Sequence, residues 1–435
     1  MSLSWADRRR NEALELIANA GGSVTWVELS QHCNGFVREA AVKGLSAHDS
    51  PESLLALIER LNDWVPQVRE LASAGVAPYL TTTRAQALLF ALDAVMALAM
   101  CQRVDHQATV ASVREVLQSP DVRQEVYRSF MARQGESARY LFALLLEVAE
   151  SPDALVRDAL AHRELTVRLA AVVVCETLPA GRAVPLLREA LPRAAAKVRV
   201  RVLRALLPLL DDPRPVLRQA LLDASPSIRS LAQWHAPRHN LDATAVLADR
   251  LTGEMPTGKR NWLGLLGLAA QLSAELPQAW RRAALRSRYP TVRFAAVRTA
   301  GDGASVELLD ALDDPSDRVF GEAIVQLDKL PWSTVNAGLS RKLDSDWHAL
   351  SETRRQAILR LISGWQQLAY LLKRLDAEPV MQVFWLREIT QWCDRQYQVV
   401  DPVTPKTERE LLMARLQSLA TAGRVLGKSV ARVVA

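Results

Sequence analysis

Apolar positions along this chain recur with the spacing of one helix face, and no stretch sustains the alternation of a half-buried strand, so the pattern predicts helices throughout. One motif repeats: an apolar residue, Arg, an apolar residue three positions on and another four beyond that. It reads FVREAAVKGL from Phe36, QVRELASAGV from Gln67, TVRLAAVVVC from Thr166, KVRVRVLRAL from Lys197, SIRSLAQWHA from Ser227 and TVRFAAVRTA from Thr291. Weaker copies are DVRQEVYRSF from Asp121 and GKRNWLGLLG from Gly258. The motif arginines are Arg38, Arg69, Arg123, Arg168, Arg199, Arg229, Arg260 and Arg293; from Arg168 the steps are 31, 30, 31 and 33 residues, and Arg69 to Arg168 spans 99.

A period near 31 accommodates two helices of about 11 to 13 residues and two short turns, the hairpin unit of a helical solenoid. The turns are visible as Ser151-Pro152-Asp153, Asp211-Asp212-Pro213, Ser225-Pro226-Ser227, Tyr289-Pro290-Thr291 and Asp313-Asp314-Pro315-Ser316. Each supplies a helix stop, and several then supply a capping residue with Pro in the first turn. The motif opens the second helix of each pair. On these residues the sequence resembles the HEAT-repeat family, in particular the short bacterial repeats of phycobilisome lyases, over residues 30 to 365. The fold expected is all-α: an α-solenoid, or superhelix, of stacked hairpins with a helical C-terminal cap.

The expected organisation is an N-terminal capping helix region at 1–29, the repeat solenoid at 30–330, divergent repeats and a Trp-rich helical cap at 331–400, and a linker with a C-terminal helix at 401–435. Arg318 and Arg355 are candidates to head divergent repeats. The cap, Trp347 to Tyr397, carries Trp365, Trp385 and Trp392 and is expected to cover the last repeat's apolar face. Asp401 to Lys406 reads as the linker, followed by a basic amphipathic tail around Arg424, Lys428 and Arg432, either frayed or docked.

At 100° per residue, with the motif Arg at zero, the apolar positions −1, +3 and +7 cluster around about −60°, which is therefore the core direction. Positions +2 and +5 fall at about 200° and 140°, on the opposite side. The family resemblance implies that second helices line a concave surface, which makes these positions the candidate binding face. At +5 stand Lys43, Ala74, Arg128, Val173, Arg204, Trp234, Leu265 and Arg298, and at +2 stand Leu71, Arg201, Leu231 and Trp262. Arg201, Arg204, Trp234, Trp262 and Arg298, with Lys43 and Arg128, are the candidate binding residues, because Arg and Trp anchor protein interfaces and also stack on or pair with nucleic acid. The motif arginines lie 60° from the core direction and are expected to bridge neighbouring repeats through turn Asp or carbonyl partners, outside the site.

Net charge is +6 but unevenly spread: Lys and Arg against Asp and Glu number 14 to 18 in residues 1–150, 23 to 12 in 151–300, and 17 to 18 in 301–435. The basic middle would attract an anionic partner. Cys33, Cys101, Cys175 and Cys393 are scattered and form no CxxC pair, which argues against a zinc site or disulfide framework and fits a reducing compartment. The first fifteen residues are too charged for the apolar core of a signal peptide, and the longest apolar stretch, Ala87 to Cys101, falls short of the roughly 20 residues of a membrane span. A cytoplasmic protein without membrane attachment, favoured as a monomer, is expected.

Catalytic patterns are weak. GEMPTGKR, Gly253 to Arg260, satisfies GxxxxGK but places Arg260 where a P-loop needs Ser or Thr, and it follows a helical rather than a strand pattern. His235 and His239 are separated by Pro237, which is expected to break the helix that would align them on a metal. The HEAT proteins that hydroxylate deoxyhypusine carry His-Glu pairs, and no His here is followed by Glu. HEAT-like alkylpurine DNA glycosylases are similar in using a basic groove with aromatic residues, as Trp234, Trp262, Arg204 and Arg298 would supply, but no catalytic Asp aligns. No cofactor or metal is expected. The leading expectation is a non-enzymatic scaffold binding an acidic protein partner on a basic, Trp-bearing surface; the alternative is a nucleic-acid-binding solenoid, glycosylase-like in the extreme, using residues 151–300.

Overall fold

The computed structural model describes residues 5–18, 23–101, 103–301, 303–395 and 404–434. Within them the chain forms 28 α-helices joined by short loops and 3-10 turns, with no strand among the described residues. Consecutive helices pack as antiparallel hairpins and the hairpins stack, which makes the architecture an α-solenoid. The chain divides into two compact units, residues 1–213 and 214–435. In the first, second helices lie side by side, Gly35–Ser46 on Pro66–Val76 and Leu165–Thr177 on Ala196–Leu206; in the second, Lys259–Gln271, Pro290–Arg298 and Asp317–Leu327 follow one another.

Local chemistry starts these helices. Asn34 accepts the Phe36 N–H, Ser50 the Ser53 N–H, and Asp242 the N–H groups of Thr244 and Ala245, satisfying amides that the first turn leaves unpaired. Pro51, Pro66, Pro226 and Pro290 occupy first-turn positions where a missing N–H costs nothing. The apolar stripe then faces inward as the helical period requires. Val37, Ala41 and Leu45, Val167, Ala171 and Cys175, and Val198, Val202 and Leu206 are all fully buried, each large one contributing about 1.5–3 kcal/mol.

One repeat departs from the register read from the sequence. In the regular repeats the motif Arg is the fourth residue of its helix, as in Pro226–His235 and Pro290–Arg298. The helix Lys259–Gln271 begins at Lys259, so its fourth residue is Trp262 and not Arg260. The steps around it become 33 and 31 residues. Counted from Trp262, positions +3, +4 and +7 are Leu265, Leu266 and Ala269, all buried. Position +2 is then Gly264, where a Cβ would lie 1.9 Å from the Leu222 carbonyl oxygen, so only glycine admits this approach. The same correction applies at Asp317–Leu327, whose fourth residue is the buried Phe320 rather than Arg318.

The stretch before Arg168 is irregular because its apolar run is not one helix: Ala85–Phe90 and Leu92–Leu98 are split at Ala91. Towards the C-terminus, Trp347 and Trp385 are fully buried with ring centroids 4.7 Å apart, and Tyr370 adds a further ring at 5.8 Å. The Trp385 indole N–H donates to Glu378 at 2.9 Å. The expected linker lies partly outside the described residues. The basic tail is docked: Gly427–Val434 packs on Gln382–Arg395, with Arg432 paired to Asp394 at 3.2 Å.

Charge placed in the packed face should loosen the stack, and charge at an outward +2 position should not. Val167→Asp is expected to lose about 3–5 kcal/mol, while Ala295→Arg, on a half-buried +2 position, leaves the melting temperature within a few degrees. Thermal denaturation followed by circular dichroism reads both; a larger loss in Ala295→Arg would contradict the register.

Candidate binding surface

Four of the repeats are fastened in the same way at the entrance to the second helix. The guanidinium Nη1 of Arg38, Arg69, Arg229 and Arg293 donates to the backbone carbonyl six residues earlier, on His32, Asp63, Asp223 and Ser287, at 2.9, 2.8, 2.7 and 2.9 Å. The side chain six residues before the fourth helical position accepts the N–H two residues on: His32 from Asn34, Asp63 from Val65, His162 from Glu164, Asp223 from Ser225, Ser287 from Tyr289 and Asp314 from Ser316. The expected turn Asp and carbonyl partners of the arginines are thus present at Asp63 and Asp314; what the reading of the sequence missed is the fixed place of this side chain six residues before the fourth helical position, and the His and Ser that take it in other repeats.

The arginines then differ in what neutralises them. Arg38 grips Asp63 of the next repeat through two bonds of 2.8 and 2.9 Å, and Arg293 grips Asp314 through two of 2.6 and 2.9 Å, a bidentate geometry that matches guanidinium to carboxylate. Burial alone would raise both carboxyls, but the Arg hydrogen bonds, the accepted backbone N–H and the neighbouring positive charges hold Asp63 and Asp314 below their ordinary value. Arg229 is 6% exposed and has no carboxylate within ion-pair distance among the described residues; its Nε donates to the neutral Gln271 at 2.8 Å. Burial lowers its pKa, partly offset by the charge of Asp223, and burial raises that of Asp223. Arg168 is half-buried with its Nε lacking a partner.

The candidate binding residues fall into the two units and into different environments. Lys43, Arg128, Arg201 and Arg204 belong to the first unit, Trp234, Trp262 and Arg298 to the second. Arg128, Arg204 and Arg298 are exposed at +5, as the wheel predicts, and Val173 beside them is half exposed. Lys43 is exposed but paired with Glu39 at 2.7 Å, and Arg201 is paired with Glu176 at 2.8 Å. Trp234 is 57% exposed, with the Arg238 guanidinium stacked 3.5 Å above its ring.

Trp262 is not on the surface. It is 5% exposed and meets Trp280 edge to face at 6.1 Å, because the register shift turns the fourth helical position inward; Leu265 is buried for the same reason. As expected, the α-helix that carries His235 stops at that residue, ahead of Pro237. The helix Pro226–His235 runs on as a 3-10 turn, Ala236–His239, and the rings of His235 and His239 lie nearly parallel with centroids 6.5 Å apart. The described residues hold no group of three potential metal ligands. Gly253 to Arg260 joins two helices, Ala243–Thr252 and Lys259–Gln271, and so lacks the strand that a phosphate loop follows.

Fold and surface together define a helical-repeat solenoid with exposed cationic and aromatic side chains on its second helices. No family model matches the sequence, and no curated protein matches it. Among solved structures the chain is similar to the C-terminal fragment of the Chaetomium thermophilum cohesin loader SCC2, with 12% sequence identity and a TM-score of 0.29; the match covers 92% of this chain and 39% of that one. No helix among the described residues is long and apolar enough to cross a membrane.

Breaking a buried pair strands the remaining charge, whereas Arg229 has no paired carboxylate to strand. Arg38→Met and Arg293→Met are expected to lose about 3–5 kcal/mol, and Arg229→Gln much less, in urea denaturation. Because the folded pKa values of Asp63 and Asp314 lie below the unfolded one, their contribution is complete above the ordinary carboxylate value of 3.8 and is lost as pH falls through the lower folded values. Asp63→Asn with Asp314→Asn should therefore flatten the acid limb of the stability profile; an unchanged limb would contradict the assignment.

Proposed function

We propose that the protein is a non-enzymatic, cytoplasmic interaction scaffold, monomeric by itself, that binds an acidic partner protein through the exposed side of its second helices. The observation that carries this reading is the open Trp234 ring beneath Arg238, with Arg204 and Arg298 exposed at the same helical position of other repeats. A large aromatic held at the surface by a cation is the kind of anchor that dominates protein interfaces.

A nucleic-acid reading is supported by the exposed arginines of residues 151–300, Arg204 and Arg298. Against it, Arg201, one of the basic candidates within residues 151–300, is paired with Glu176. A phosphate-tracking surface needs a run of free cations. The burial of Trp262 also removes one of the aromatics on which the glycosylase comparison rested.

The test is affinity capture from lysate with wild type and with Arg204→Glu plus Trp234→Ala, beside a salt titration against labelled DNA and RNA. A protein captured by wild type and weakened by about 2 kcal/mol or more in the variant, with no steep salt-dependent nucleic-acid binding, is the expected result. Nucleic-acid affinity that falls steeply and linearly on a log–log salt plot and is lost in the variant would replace the scaffold reading with the alternative.

A further inference from the structure

The second unit contains an open cavity of about 1000 Å³, bounded by the helices Pro226–His235, Lys259–Gln271 and Pro290–Arg298, the N-terminal turn of Gln278–Leu285 and the start of Asp317–Leu327. Small residues line it, among them Gly267, Ala270, Ala295 and Gly301, together with the apolar Leu263, Leu266 and Phe294. Four arginines line it, Arg229, Arg281, Arg298 and Arg318, against one carboxylate, Glu275. Trp234 is not part of it.

These cations are poorly neutralised. Arg229 is the ladder position at which the structure substitutes Gln271 for the carboxylate that Arg38 and Arg293 grip, so a buried guanidinium lines the cavity with no carboxylate in direct contact among the described residues, the charge of Asp223 offsetting its burial only in part. Gly267 is what seats it there, since a Cβ at that position would come within 2.3 Å of the guanidinium. Arg281 has a buried Nε with no partner. Arg298 and Arg318 are exposed at the rim, and Arg318 lies 4.2 Å above the Phe294 ring. Leaving a buried charge unpaired is unfavourable, and an anion entering the cavity would relieve it.

Glu275 decides which anion. A phosphodiester backbone brings no donor for it, whereas a peptide brings backbone N–H groups along with its carboxylates. Resting on the scaffold reading above, we propose that this cavity is the receptor for an acidic, extended segment of the partner protein. One carboxylate of the segment pairs with Arg229, others with Arg298 and Arg318 at the rim, small apolar side chains lie against Leu263, Leu266 and Phe294, and Glu275 accepts a backbone N–H.

The probe is a fluorescein-labelled twelve-residue peptide alternating Glu and Ala, followed by anisotropy against the full chain, with a twelve-nucleotide oligo-dT at the same salt as the competing anion. Wild type should bind the peptide more tightly than the oligonucleotide. Arg229→Gln should weaken binding at least about tenfold while lowering the melting temperature far less than Arg38→Met does, a combination that a purely structural arginine would not give. Arg298→Glu with Arg318→Glu, two exposed positions that do not endanger folding, should abolish binding. Glu275→Gln, which keeps the acceptor and removes the like charge, should tighten it.

No peptide binding by wild type up to about 1 mM, equal binding by the rim variant, or tighter binding of oligo-dT overturns the proposal. A partner captured through Trp234 but indifferent to Arg229→Gln and to the rim variant would leave the scaffold standing and remove the cavity as its receptor. Peptide binding that depends on the cavity, with no Trp234-dependent capture, would do the reverse.

Discussion

A guanidinium at the fourth position of the second helix connects three levels of this structure. It ties the helix to the loop that precedes it through the carbonyl six residues back, and that loop is in turn set by a side chain accepting an N–H two residues on. Where a carboxylate from the following repeat is present, the same group ties repeat to repeat. In a solenoid each hairpin touches only its neighbours, so a connection of this kind helps hold the stack in the repeats that make it. The burial of Val37, Ala41 and Leu45 and of their counterparts supplies the larger share of the stabilisation, but it is not directional. The arginine supplies direction.

The same device explains where the surface is free to do something else. With the core on one side of the second helix and the arginine spent on the loop, the positions opposite the core carry no structural duty. Arg204, Trp234 and Arg298 are exposed there, whereas Lys43 and Arg201 have acidic partners of their own. Charge counted along a sequence overstates the field that a partner meets, because ion pairs between neighbouring turns remove part of it. The basic middle of the chain is thus less uniformly basic than its composition implies, and its unneutralised charge is concentrated at particular places.

Departures from the repeat are as informative as the repeat. At Lys259–Gln271 the motif arginine is absent and Trp262 takes its place in the core; the helix then approaches the Leu222 carbonyl closely enough that Gly264 is required. One repeat earlier Arg229 meets Gln271 from this helix in place of a carboxylate. Arg229 and Gln271 line the cavity of the second unit, to which the same helix contributes Leu263, Leu266 and Gly267.

Helical content, hairpin period, turn positions and the inward stripe were legible in the sequence, because a 3.6-residue period and a Pro or Asp at a turn act over a few residues and leave a local trace. The exposure of Arg204, Trp234 and Arg298 followed from the same geometry. The register at Trp262 was not legible: GKRN resembles the motif, and the close approach of Gly264 to the Leu222 carbonyl joins positions far apart along the chain. Likewise the pairing of Arg201 with Glu176, the stacking of Arg238 on Trp234 and the lack of a carboxylate at Arg229 depend on which side chains neighbouring turns and repeats bring within about 4 Å of one another. The sequence by itself determined that this chain is a stack of helical hairpins and which side of the second helix faces inward in the regular repeats. Only the tertiary structure decided which charges remain free, because neutralisation depends on distance through space and spacing along the chain does not encode it.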